Sequence, residues 1–198
     1  LTRAYPQLSF VLQDPRVHIH FDDGRRWLRR NPSSRFDAIV QNTSYYWRAN
    51  VGSLLSREYF SEIKRHLNPG GIVIANTTGS FDVLATVQSV FERAYRYRNF
   101  VYAADHALVP DIAGLSKIRR PNGTPFMVDN APPSSVAAML ATARLEPVDE
   151  FLARRVNDAA IITDDNLLTE YRHGRRFGPK LLQALLPHES AHFEFGDP

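Results

Sequence analysis

The chain is expected to fold as an α/β protein with a mostly parallel sheet, and three observations carry that expectation. Phe36-Asp37-Ala38-Ile39-Val40 and Ile72-Val73-Ile74-Ala75-Asn76 are short, dominantly apolar runs bounded by breakers, the pattern of strands buried on both faces. Between them Leu54–Leu67 carries Phe60, Ile63 and Leu67 at helical spacing, which supplies the crossover that parallel strands require. Asn68-Pro69-Gly70-Gly71 then stops the helix before the second strand.

The remaining elements follow in order. Leu1–Asp14 reads as the end of a helix and a loop. In Arg16–Phe21, Val17, Ile19 and Phe21 alternate with Arg16, His18 and His20, which predicts a strand wet on one face, near a sheet edge. Asp22-Asp23-Gly24 ends it, and a short helix over Arg25–Arg30 leads to the turn Asn31–Ser34. Ser56 is the expected N-cap of the crossover helix. A helix is predicted from Phe81 to about Tyr97, capped by Ser80 and burying Phe81, Leu84, Val87 and Phe91. Phe100–Ala104 is the next expected strand. Asp105–Pro125 reads as irregular, and Phe126–Val128 as a further strand pairing at the far edge. Helices are expected over Ser134–Arg144, Val148–Val156 and from Pro179 onward. No internal repeat and no long linker divides the 198 residues, so residues 1–198 are expected to form one domain, with 157–198 as a tail packed on it.

The balance of 24 basic against 21 acidic residues gives a net charge of +3. The densest basic cluster, Arg25-Arg26-Trp27-Leu28-Arg29-Arg30, reads as the solvated face of a short helix. No basic groove with interleaved aromatics accompanies it, so no nucleic-acid partner is expected. With no cysteine there are neither disulfides nor thiolate metal ligands. Seven histidines are present; His18 and His20 share a strand face, but no third ligand is spaced to join them, and no metal is expected. No apolar run reaches the length of a membrane span.

In an open α/β sheet, ligands sit beyond the carboxyl ends of the strands. The loop Gln41-Asn42-Thr43-Ser44-Tyr45-Tyr46-Trp47-Arg48 follows the first apolar strand at that end. Its aromatic residues Tyr45, Tyr46 and Trp47 read either as packing or as a wall against a sulfonium. Asn42 and Thr43 are candidates for hydrogen bonds to a ligand edge. Asp164, Asp165 and Glu170 are the acids in the tail that a cleft there could recruit, against turn and capping roles.

Five segments, taken together, resemble the spermidine synthase (polyamine aminopropyltransferase) family: Asp14-Pro15-Arg16-Val17, Asp23-Gly24-Arg25, Phe36–Val40, Leu54–Phe60 and Leu67–Gly71. Thr163-Asp164-Asp165 and Glu170-Tyr171 resemble the end of its catalytic domain. The likeness extends to spermidine synthase-like domains joined to membrane-spanning segments. It implies a Rossmann-like methyltransferase fold with strand order 3-2-1-4-5-7-6, in which Arg16–Phe21 is strand 3, and Phe36–Val40 and Ile72–Asn76 are strands 4 and 5 in the buried centre. It also implies that Asp23, beside Gly24, contacts the adenine of S-adenosylmethionine or its decarboxylated form. The Gly-rich cofactor loop and the ribose-binding acid of the first two strands have no counterpart here. An upstream segment, or a second chain in a homo-oligomer, is therefore expected to complete the sheet.

The resemblance also implies an Asp-x-x-Asp pair after strand 4, which deprotonates and holds the diamine acceptor. Asn42 and Tyr45, or Tyr46 with one inserted residue, stand at those positions, and no acid lies between Asp37 and Glu58. That exchange speaks against ordinary aminopropyl transfer. The expected function is therefore a spermidine synthase-like transferase domain binding an adenosyl sulfonium. The alternatives are S-adenosylmethionine-dependent methyl transfer and a non-catalytic interaction or regulatory domain. A cytoplasmic location is expected, as a domain of a longer, membrane-anchored protein.

Overall fold

The computed structural model describes residues 14–42, 51–111, 114, 117–119, 123–125, 144–155, 158–166 and 168–169. Its elements are α1 (Gly24–Arg30), β1 (Phe36–Gln41), a 3-10 turn (Gly52–Leu54), α2 (Arg57–Arg65), β2 (Leu67–Asn76), α3 (Phe81–Gln88), β3 (Arg93–Tyr97), β4 (Phe100–Ala104), β5 (Glu146–Pro147) and α4 (Val148–Arg155). Among the described residues the strands form one sheet in the order β1-β2-β4-β3-β5. The two apolar runs lie side by side and parallel, with Val40 opposite Ile74 and Gln41 opposite Ala75. β4 is antiparallel to β2 on one side and to β3 on the other. This reproduces the 4-5-7-6 portion of the expected order.

One face of the sheet carries the core. Val73, Ala75, Val101, Ala103 and Ala94 are buried against Phe60 and Ile63 of α2, Val83, Leu84 and Val87 of α3, and Val148 and Phe151 of α4. Ser56 caps α2, its hydroxyl accepting from Tyr59 N, and Ser80 caps α3 by accepting from Val83 N. The opposite face is more open. Its row Val40–Ile74–Tyr102–Tyr95 runs across four paired strands, with Val40 64% exposed and the other three half-buried.

Several expectations are corrected. Arg16–Phe21 forms no strand; Val17 N donates to Asp14 O in a turn, and Ile19 and Phe21 are 54% and 98% exposed. An alternating sequence becomes a strand only where a neighbour takes its hydrogen bonds, and no described strand lies beside it. For the same reason β1 is the edge of the described sheet rather than its buried centre.

The crossover helix is shorter than expected. A 3-10 turn precedes α2, and the helix ends at Arg65 with His66 as C-cap. Asn68-Pro69-Gly70-Gly71 lies within β2, looping out three extra residues where the register passes from Phe36↔Leu67 to Ala38↔Ile72. Gly70 adopts φ +78 there, a conformation open to glycine.

The helix expected over Phe81–Tyr97 stops at Gln88. Arg93–Tyr97 is instead a strand, hairpinned onto β4 through Arg98 and Asn99, with Arg98 at φ +53, as two-residue hairpin turns require. Tyr95 and Tyr97 suit a pleated surface better than a helix, and pairing with β4 decides the choice. The expected pairing of Phe126–Val128, residues 134–143 of the helix expected over Ser134–Arg144, the helix from Pro179, and Leu1–Gln13 lie outside the described residues. No described helix is long and apolar enough to cross a membrane.

Candidate functional site

A cleft of about 300 Å³ opens between α1, β1 and α2, lined by His20, Asp22, Gly24, Trp27, Ala38 and Tyr59 among others. Gly24 enters this wall because α1 begins with it. Asp23 is the N-cap, its carboxylate accepting from Arg26 N at 2.8 Å, so the expected site residue has a clear structural role. Trp27 sits between His20 and Phe36, with ring centroids at 5.4 and 6.1 Å. Tyr59 is buried, and burial pushes its phenol pKa up, with the Asp23 charge adding to the effect and Arg25 opposing it. The cleft is thus mainly aromatic and apolar, with Asp22 and His20 among its lining residues: a make-up suited to a flat heterocycle.

A second group gathers at the carboxyl ends of β1 and β2. Asn76 Nδ2 donates to Asn42 Oδ1 at 2.9 Å, and Asn76 Oδ1 accepts from Thr78 N at 2.9 Å. Thr78 adopts φ +47, unusual for a β-branched residue and a marker of local strain. Gln41, buried at the end of β1, donates from Nε2 to Leu54 O at 2.8 Å and so ties together the two ends of the intervening loop. Its Oε1 is buried and has no hydrogen-bond partner among the described residues. Sequence reasoning included Gln41 in the candidate loop without giving it a role, and placed Asn76 only as the last residue of a strand. Each is the polar residue that closes an apolar strand, and a lone polar residue at that place carries no further signal in the sequence.

Arg25 joins the tail to this region. Its guanidinium donates to both carboxylate oxygens of Asp164, at 2.8 and 2.5 Å, and to Ser53 O at 2.9 Å. Ser56 Oγ donates to Asp164 Oδ1 at 2.6 Å, and Glu58 Oε2 accepts from Asp164 N at 3.0 Å. The Arg25 guanidinium holds the Asp164 carboxyl below the usual carboxylate range; Ser56 adds to this and partial burial opposes it. Asp164 is therefore a structural anion. A carboxylate so stabilised is a poor proton acceptor.

Thr43, Tyr45, Tyr46, Trp47, Arg48 and Glu170 lie outside the described residues, so of the predicted loop only Gln41 and Asn42 are placed. The structure brings Gly24 to the cleft and Asn42 to the strand ends. Among the described residues no group of three or more His, Asp or Glu side chains could hold a metal ion.

Strand order, crossover and strand-end loops define a Rossmann-like, methyltransferase-type α/β sheet. The family model for the spermine/spermidine synthase domain matches residues 2–117. That is more than half of the chain, and the chain belongs to this family. Spermine synthase of Arabidopsis thaliana is 33% identical over 74 residues, 36% of this chain and 20% of that protein. The polyamine aminopropyltransferase of Mycobacterium tuberculosis is 24% identical over 172 residues, 82% of this chain and 32% of that protein. A solved structure of a probable spermidine synthase from Corynebacterium glutamicum superposes with TM-score 0.48 at 18% identity, covering 82% of this chain and 61% of that one. The chain thus spans at most a third of the length of these two curated relatives.

Proposed function

We propose that this domain binds an adenosyl sulfonium, S-adenosylmethionine or its decarboxylated form, as a spermidine synthase-like transferase. One observation carries the reading: the aromatic cleft lies directly against Gly24, the residue beside Asp23. In this reading the adenine lies in the cleft, with the Asp23 carboxylate and the Gly24 backbone at its polar edge. Asn42 and Thr43 meet the ligand further along, and Tyr45 and Tyr46 are the aromatic candidates to face the sulfonium.

Transfer from a sulfonium breaks a carbon–sulfur bond, sends its electron pair to sulfur and leaves a neutral thioether. The attacking nucleophile must lose a proton, and for a diamine a carboxylate takes it. Asp164 is engaged by Arg25 and Ser56, and Asn42 is an amide. These residues argue against a diamine as the acceptor. They favour, as the second reading, methyl transfer or a domain that keeps the fold without transfer.

The sheet is proposed to be completed at the open edge of β1 by an upstream segment or a second chain. The exposure of Val40, and β2 as the sole partner of β1 among the described residues, support this. Residues 157–198 are proposed as a tail on the same domain, in keeping with the bonds from Arg25 to the Asp164 carboxylate and from Arg57 N to Ile162 O. A cytoplasmic setting, within a longer membrane-anchored protein, belongs to the same proposal and is tested by fractionating the full-length protein.

The test of the ligand is calorimetry of the full-length protein with S-adenosylmethionine, decarboxylated S-adenosylmethionine and methylthioadenosine. Binding of at least one is expected, and no binding by any of the three at millimolar concentration removes both transferase readings.

A further inference from the structure

A second cavity, of about 540 Å³, lies at the opposite end of β1 and β2 from Gln41 and Asn76. Arg35 lines it from the position before β1, Lys64 from the last turn of α2, and Leu67 and Pro69 from the first half of β2. Phe91, after α3, and Asp105, after β4, complete it. The looped-out segment of β2 is part of its wall, so the break in register between β1 and β2 shapes this cavity. Its lining joins an apolar part, Leu67, Pro69 and Phe91, to a charged part.

The two cations are held differently. Lys64 Nζ donates to Val90 O at 3.0 Å and to Asp105 Oδ1 at 2.8 Å, and lies 5.6 Å from the centroid of the Phe91 ring. Asp105 thus offsets its charge. Arg35 is anchored on backbone instead: its Nη1 donates to Pro32 O at 2.7 Å and to Ser34 O at 2.9 Å. Those two bonds use both hydrogens of Nη1 and leave the edge formed by Nε and Nη2. Among the described residues no carboxylate pairs with this guanidinium. The remaining edge carries two parallel donors, the fork that fits two oxygens of a carboxylate or phosphate.

We propose that this cavity is a binding site for a small organic anion, a carboxylate or phosphate monoester on an apolar body, separate from the aromatic cleft. Arg35 takes two oxygens of the anion, Lys64 adds its third N–H donor, and Leu67, Pro69 and Phe91 receive the body. The volume falls in the range of small-molecule sites and exceeds what an inorganic ion fills. Asp105 restrains the site by holding Lys64.

The test is calorimetry of the full-length protein with benzoate, phenyl phosphate and inorganic phosphate. At least one of the two aromatic anions is expected to bind about tenfold or more tighter than inorganic phosphate, and the tighter of the two identifies the headgroup. Arg35→Gln is expected to weaken that binding about tenfold or more, through loss of both charge and fork. Lys64→Gln leaves the Asp105 carboxylate in the cavity lining without its cation, so it is expected to weaken binding by a similar factor; this variant serves where Arg35→Gln does not fold. Asp105→Asn releases Lys64 and is expected to tighten binding several-fold, a gain that lost packing does not produce.

No binding of either aromatic anion at millimolar concentration, inorganic phosphate binding as tightly as both, or wild-type affinity in Arg35→Gln overturns the proposal. So does an Asp105→Asn variant that binds no more tightly than wild type. None of these outcomes depends on nucleoside binding in the cleft.

Discussion

Arg25 and Asp164, 139 residues apart in sequence, meet through two hydrogen bonds at 2.8 and 2.5 Å. The Arg25 side chain is 11% exposed and that of Asp164 34%. The pair fastens the tail over the entrance to α2, where Ser56 both caps the helix and donates to Asp164. Asp164→Asn is expected to destabilise the protein by about 1–2 kcal/mol, partial exposure keeping the loss below that of a fully buried pair. The Asp164 pKa is depressed in the folded state, so its contribution is present above the ordinary carboxylate pKa of about 4. It is lost as pH falls through the lowered folded value. Urea denaturation from pH 7 to pH 2 should therefore show a smaller acid-dependent loss in Asp164→Asn than in wild type.

Asp23 has two separable roles, one observed and one proposed. Its carboxylate caps α1 through Arg26 N, so Asp23→Ala is expected to lower stability by about 0.5–2 kcal/mol. Asp23→Ser keeps a capping oxygen and should recover most of that stability. If the carboxylate also holds the adenine amino group, both variants weaken methylthioadenosine binding, by about 1–3 kcal/mol. Thermal melts and calorimetry on the two variants separate the roles, and unchanged affinity in Asp23→Ser would remove Asp23 from the ligand site.

Gly71 packs against backbone oxygens of both β1 and its own strand. A Cβ there would lie 2.9 Å from Asn68 O, 3.0 Å from Phe36 O and 3.1 Å from Leu67 Cβ. Two of those neighbours are backbone and cannot swing away, so Gly71→Ala is expected to destabilise by about 1–3 kcal/mol, as overpacking does. A chemical-denaturation midpoint equal to wild type would mean that the looped-out segment of β2 relaxes freely.

Val40 tests whether the sheet continues. It is 64% exposed here, and a surface substitution at such a position ordinarily changes stability by about 0.5 kcal/mol or less. In the full-length protein Val40→Lys is expected to exceed that value, by about 1 kcal/mol or more, because a charge placed beneath a covering layer is desolvated. A change within the ordinary surface range would leave this edge of the sheet open in the whole protein.

Much of the fold was readable from the chain itself. The apolar runs at Phe36 and Ile72, the caps Ser56 and Ser80, and the strand Phe100–Ala104 depend on neighbours a few residues away. Side-chain period and capping chemistry report such local constraints directly. Asp23 and Gly24 are candidates through the family resemblance, and Asn42 through its place in the loop after the first apolar strand.

Only the tertiary structure decided the rest. It made Arg93–Tyr97 a strand, since β4 lay ready to pair with it, and left Arg16–Phe21 without a ladder, since no described strand stands beside it. It bound Asp164 to Arg25 across most of the chain and set the Asn42 amide through Asn76 and the backbone of Thr78. A strand, an ion pair and the orientation of an amide each need a second partner, and where that partner comes from a remote part of the chain, no local pattern can name it.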